Sequence, residues 1–186
     1  MDILKSRVGN EAYNSYETLS DLSYNCVTYL LENNEMIWKL LKHNSADAWN
    51  ESDLTHAEKA ALIYAGEQDG SKARVFLDIG QPDVLTEEIC ILRISPVSII
   101  PRNRTVGIVT MLFEVYSHYK INHLSNYKTR IDLICQNLLG EFNGVEMGGI
   151  GKMFFDSIRS TDNKMTAGGV TPFRGKRLAM STNVAD

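Results

Sequence analysis

The chain holds only three cysteines, Cys26, Cys90 and Cys135, and no Cys-x-x-Cys pair. An odd number of widely spaced thiols argues against a disulfide framework or a zinc cluster, so all three read as reduced, buried thiols of a cytosolic protein. Long apolar runs are missing too: Ile89-Cys90-Ile91-Leu92 is typical, against the roughly 20 residues that a membrane helix needs. The opening residues Met1-Asp2-Ile3-Leu4-Lys5 lack a basic stretch followed by an apolar core and a small-residue cleavage site, so no secretory signal is expected. There is no internal repeat and no low-complexity tract. What is present is the ordinary mix of a soluble globular protein: 186 residues, 44% of them hydrophobic and 23% charged, enough for one domain or one domain with an appendage.

Signatures of chemistry are equally scarce. Gly144-Val145-Glu146-Met147-Gly148-Gly149-Ile150-Gly151 superficially resembles a phosphate loop, but it has no Gly-Lys-Ser/Thr end and follows a helical segment where a phosphate loop follows a strand. A tight helix-to-strand turn that needs positive φ accounts for these glycines. The histidines, His43, His56, His118 and His123, show no metal-ligand spacing with a nearby thiol or carboxylate pair. Cys135 adjoins the apolar stripe of an expected helix, where a thiol is usually inert, and Glu87-Glu88 reads as the solvated start of a strand. No cofactor, no metal and no enzymatic activity is expected. A small cytosolic enzyme using Cys135, or a histidine with a carboxylate, is the alternative from another class.

The formal net charge of −4 hides an asymmetry. Residues 1–100 carry 8 Lys/Arg against 16 Asp/Glu, residues 101–149 carry 5 against 4, and residues 150–186 carry 6 against 3. Two readings stand: solvated faces that serve solubility, or complementary patches through which like copies or an acidic partner associate head to tail. Phe173 among Arg174, Lys176 and Arg177 has the parts to contact nucleic acid, since phosphates need such charges and a ring can stack. The acidic balance and the lack of a reader motif leave only passive contact with passing DNA.

Periodicity then divides the chain. From Tyr16 to Leu41 apolar residues fall at helical steps: Leu19, Leu22, Cys26, Tyr29 and Leu30 precede the polar break Glu32-Asn33-Asn34, and Ile37, Leu40 and Leu41 follow it. This predicts two short amphipathic helices. Residues 45–53 read as a loop in which Trp49 wants a pocket. Thr55-His56-Ala57-Glu58 is a capping box for a third helix, carried by Ala60, Ala61, Leu62 and Ile63 to a C-cap at Gly66. Together these form a helical N-terminal unit over residues 1–70.

Residues 71–186 read as an α/β unit. A strand over 74–79 closes at Gly80-Gln81-Pro82, and β-branched runs over 88–96 and 97–100 are bounded by Pro96 and Pro101, which mark a bend or an edge. The strongest strand covers 106–119, with Val109, Met111, Phe113 and Val115 pointing one way and Thr110, Glu114, Tyr116 and His118 mostly the other. At about 3.3 Å per residue it reaches about 45 Å, long enough to project as a hairpin arm. Ser125 is the expected N-cap of a helix with Tyr127, Ile131, Ile134, Leu138 and Phe142 on one stripe and Asn143-Gly144 as its stop. A Gly-rich turn leads into a short strand, Lys152-Met153-Phe154-Phe155; residues 156–171 read as a flexible loop, Arg174 to Met180 as a last strand and 181–186 as its tail. The fold class is α+β: an N-terminal helical unit followed by a mixed β-sheet with one packed helix.

The long strand, the helix through Arg130-Ile131-Asp132-Leu133-Ile134 that ends Phe142-Asn143-Gly144, the turn into Gly151-Lys152-Met153-Phe154-Phe155 and the closing Phe173-Arg174-Gly175-Lys176-Arg177-Leu178-Ala179-Met180 form one layout. Over residues 74–186 that layout resembles the neck proteins of tailed bacteriophages, most of all the tail terminator (tail completion) type. The resemblance implies a virion protein of the neck or tail, assembled in the host cytoplasm. Its subunits would form a ring, usually sixfold, that caps the tail tube and joins it to the head-side connector. Genome DNA would pass through the lumen without specific recognition. Other neck, connector and tail tube proteins are the implied partners, and no membrane is. The helical N-terminus fits a head-side adaptor or stopper ring equally well, and an interaction module outside any virion stays open. The expected interface with a like subunit or a neck partner comprises Tyr116, His118, Tyr119 and Ile121 at the far end of the long strand, with Phe173, Arg174, Lys176 and Arg177 in the basic closing strand. Loop 156–171, with Arg159 and Lys164 as protease sites, is expected to order only against a neighbour.

Overall fold

The computed structural model describes residues 21–66, 72–77, 87–101, 107–146, 151–161 and 172–184. Two helices come first, α1 (Leu22–Asn33) and α2 (Met36–Lys42). Leu22, Cys26, Val27 and Leu30 recur at helical spacing and are buried, as are Ile37, Trp38, Leu40 and Leu41 beyond the break. Asn34 organises that break. Its Oδ1 accepts from the Ile37 amide at 2.8 Å, and its Nδ2 donates to Glu141 Oε1 at 2.9 Å, so one buried amide starts α2 and ties it to a distant helix. Trp49, in a 3₁₀ turn at Ala48–Asn50, is partly buried and donates its indole N–H to Ser125 Oγ at 2.9 Å.

The helix α3 (His56–Ala60) starts with the expected box: the Glu58 amide donates to Thr55 Oγ1 at 3.3 Å, and the Thr55 amide donates to Glu58 Oε2 at 2.9 Å. It ends earlier than expected, at Ala60. Gly66 does adopt φ 83°, but it lies beyond Ile63, which leaves the helix to bridge Val75 in parallel.

Five strands form one mixed sheet: β1 (Val75–Phe76), β2 (Cys90–Pro101), β3 (Gly107–His118), β4 (Met153–Thr161) and β5 (Phe173–Val184), in the order β1-β2-β3-β5-β4. β1 and β2 are parallel and the other pairs antiparallel. The two β-branched runs around Pro96 are a single strand, β2, which absorbs the proline in an irregularity between Pro96 and Ser98. β4 runs on to Thr161, into residues expected to be loop, and β5 runs on to Val184. Cross-strand pairing overrides the polar composition at both places. The expected strand end at 80–82, the glycines 148–149 and loop residues 162–171 lie outside the described residues.

Val109, Met111, Phe113 and Val115 on β3 are all buried toward α4 (Arg130–Phe142), whose Ile131, Ile134, Leu138 and Phe142 form the facing stripe. Phe113 and Phe142 stack at 5.0 Å between ring centroids. The helical front expected over 1–70 and the sheet expected over 71–186 share this one cluster, which also contains Leu22, Ile37, Trp38 and Met180. The N-cap of α4 is Thr129, whose Oγ1 accepts from the Asp132 amide at 3.1 Å, not Ser125. Tyr127 therefore stands outside the helix, fully exposed at φ 62°. β3 is no projecting arm either: β2 and β5 pair it on both sides along its whole length.

Arg130 is fully buried, and among the described residues no carboxylate pairs with it. Its guanidinium donates to four backbone carbonyls: Ile121 at 3.0 Å, His43 at 2.7 Å, Ser45 at 3.0 Å, and Leu40. A fork of fixed donors thus joins the end of α2, the following loop and the approach to α4.

Candidate functional site

The face of the sheet turned away from α4 gathers buried charge. Arg93 on β2, Glu114 on β3, Arg177 on β5 and Arg159 on β4 stand opposite one another in one row across four strands. Arg93 and Glu114 are each 4% exposed, whereas Arg177 and Arg159 are open to solvent. Glu114 is shared: its Oε1 accepts from Arg177 Nε at 2.5 Å and from the Tyr116 hydroxyl at 3.0 Å, and its Oε2 lies 3.7 Å from Arg93 Nη1. Burial and the Glu114 charge push the Tyr116 hydroxyl above its ordinary value. For Arg177 partial burial opposes the charge, but Glu114 outweighs it and holds the guanidinium above the usual range. Next to this row a small apolar cluster contains Phe76, Ile91, Tyr116 and Phe173.

At the side of the sheet, β4 is an edge strand. Its first residues are held, since the Met153 amide donates to the Val145 carbonyl at 3.0 Å and the Phe155 amide to Asn143 Oδ1 at 3.0 Å. Beyond Phe155 no described strand pairs its outer side. Phe154, Phe155 and Ile158 are 50%, 44% and 41% exposed; Phe155 and Ile158 lie on the helix side opposite Met180 and Leu178, Phe154 on the other side opposite Ser181, so apolar side chains flank an edge that is open from Asp156 onward, of the kind natural sheets usually blunt.

The residues expected to form an interface do not share one surface. Tyr116 and His118 are buried within the chain, where His118 meets Phe173 edge-on at 5.5 Å and accepts from the Lys120 amide at 3.3 Å. Ile121 is buried in the main core on the other side of the sheet, and Tyr119 alone of the four is exposed. Phe173 is buried, Lys176 faces the helix layer and pairs with Asp132, and Arg174 is exposed. Only Arg177 belongs to the charged row. Arg159 was hidden by the polar composition around it. Arg93 and Glu114 left a signal: each is a lone charge in an apolar strand, Ile91-Leu92-Arg93-Ile94 and Leu112-Phe113-Glu114-Val115, and a charge in a buried run needs a partner.

The YomW family model matches residues 34–181, from the break before α2 almost to the end of β5. The chain belongs to the YomW family. That family is phage-derived, which makes this a phage-related protein. No curated protein matches the sequence. All four residues of the charged row, the β4 edge and Arg130 fall within the span that defines this YomW-family chain.

The thiols are free and buried, and burial pushes each up to about 12 from the ordinary 9.0. Burial thus disfavours the thiolate that a nucleophilic role would ask of Cys135. Among the described residues no three His, Cys, Asp or Glu side chains converge as a metal site, and no helix is long and apolar enough to cross a membrane. Two outcomes follow from the thiols. Iodoacetamide at pH 8 is expected to leave the native chain unlabelled and to label all three cysteines in denaturant; rapid native labelling of Cys135 would show an accessible thiolate. Native thiols stay protonated while those of the unfolded chain ionise from about 9, so stability is expected to fall as pH rises from there toward 12.

Proposed function

We propose that this YomW-family chain is a structural subunit of a phage neck, assembling as a ring that ends the tail tube and joins it to the head-side connector. The observation that carries the reading is the open β4 edge with Phe154, Phe155 and Ile158 exposed, on a protein of phage origin. A surface of that kind is stable when a neighbour covers it, and head-to-tail contacts that close make a ring. In this reading the genome passes through the lumen unread, and the partners are further copies and other neck, connector and tail tube proteins.

Gold-labelled antibody against the chain, applied to phage particles that contain it, tests the proposal. Label concentrated at the head–tail junction is the expected result. Label on capsid faces or the distal tail, or none on intact and opened particles, would overturn it. Separating heads from tails then divides the two neck positions: a terminator stays with tails, whereas an adaptor or stopper ring stays with heads.

A further inference from the structure

Among the described residues, the row across the sheet leaves the Arg159 guanidinium without a carboxylate. Arg159 stands directly opposite Arg177 on the neighbouring strand, and like charges so placed repel unless an anion lies between them. Glu114 does not serve both. It is buried two strands from Arg159, and its oxygens are engaged by Tyr116, Arg177 and Arg93. Asp156, the nearest carboxylate on β4, is taken by the Ser181 hydroxyl. The surroundings are low: Ala179 and Ser157, paired across the two strands, are the next residues on this face, and Gly175 on the other side of Arg177 has no side chain. Two exposed arginines therefore stand side by side, Arg177 with its Nε on Glu114 and Arg159 without a carboxylate among the described residues, a pairing suited to a carboxylate oxygen pair.

We propose that Arg159 and Arg177 form a docking site for a carboxylate from the acidic helical front of a second copy. The partner follows from two features of the chain. Residues 1–100 carry 16 acidic against 8 basic side chains, and in the front Glu32 is exposed, as are Asp47, Asp53 and Glu58, whose carboxylates already meet Ser125, Lys39 and Lys42 on one side. The helices cover one face of the sheet and the arginines open on the other, so the contact is front to back and heterologous, which is the type that closes into rings. Duplex DNA fits less well, because phosphate binding of useful strength draws on many cations and this site offers two. The identity of the partner rests on the ring reading above; the anion site itself rests on the geometry of β4 and β5.

The test uses the full chain carrying Arg159→Lys, which keeps the charge and supplies an amine for zero-length carbodiimide coupling to a touching carboxylate. At millimolar concentration, cross-linking followed by peptide mass spectrometry is expected to join position 159 to an Asp or Glu within residues 1–100 of another copy. Mixing isotopically light and heavy chains identifies such links as intermolecular. Links confined to one chain, or none, would overturn the proposal. Arg159→Glu, at an exposed position that need not disturb the fold, is expected to weaken self-association in sedimentation velocity by about tenfold or more. Unchanged association would overturn it, and so would a labelled DNA duplex whose binding, rather than self-association, is lost in Arg159→Glu. Junction labelling of particles together with a failed cross-link would reject this site and leave the neck assignment standing.

Discussion

Arg130→Ala is expected to lower the unfolding free energy by about 3–5 kcal/mol, the scale for removing one member of a buried charged network. The native guanidinium is fully buried and donates to the carbonyls of Leu40, His43, Ser45 and Ile121. Truncation leaves the buried Leu40 and Ile121 carbonyls without this donor, at about 1–3 kcal/mol for each buried group left unpaired, while the part-buried carbonyls of His43 and Ser45 can turn to water. Arg130→Lys should recover little, because one ammonium on a flexible stem cannot span carbonyls that the planar fork reaches together. Urea denaturation of the two variants and the parent chain checks both statements. A loss under about 1 kcal/mol for alanine would mean that water replaces the fork, and the front would then not depend on Arg130 for its attachment.

Features set by neighbours in sequence were legible before the fold was known. The alternation of Val109, Met111, Phe113 and Val115 fixes which side of β3 meets the helices, and the Thr55–Glu58 box closes within one turn. The stripe of α4 was legible from Ile131 onward, but its first turn was misplaced. Thr129 competes with Ser125 for the cap, and Ser125 is held instead by Trp49 and Asp47 from the helical front. Whatever depends on distant segments was not legible. Arg130 reaches carbonyls up to 90 residues away, a relation with no period. The reach of β3 was judged from its length alone, whereas its position is decided by β2 and β5 pairing on both sides, so an expected arm became the centre of the sheet. Arg159 illustrates the same limit: residues 156–161 have the composition of a loop, yet register with β5 sets 157–161 opposite residues 175–179 and makes the arginine pair. Composition did report the acidic front and basic end, but only the fold shows that Lys176 meets Asp132 on the helix side while Arg159, opposite Arg177, meets no carboxylate among the described residues.

Glu114 sets the cost of that charged row. Its carboxylate is the hub for Arg93, Arg177 and the Tyr116 hydroxyl, and both it and Arg93 are nearly dry. Glu114→Ala should therefore destabilise the chain by about 3–5 kcal/mol, since it removes the one buried carboxylate that Arg93, Arg177 and the Tyr116 hydroxyl share and leaves three arginines in the same row. Arg177→Ala should cost less, about 1 kcal/mol, because Arg177 is half exposed and Glu114 keeps Tyr116 and Arg93. The contrast separates the two parts of the row. Its inner half, Arg93 with Glu114, acts as a structural pair, and its outer half, Arg177 with Arg159, stays available to a partner. Chemical denaturation of both variants gives the comparison directly. If Arg177→Ala proved as damaging as Glu114→Ala, the outer arginine would belong to the fold, and its availability for docking would have to be given up.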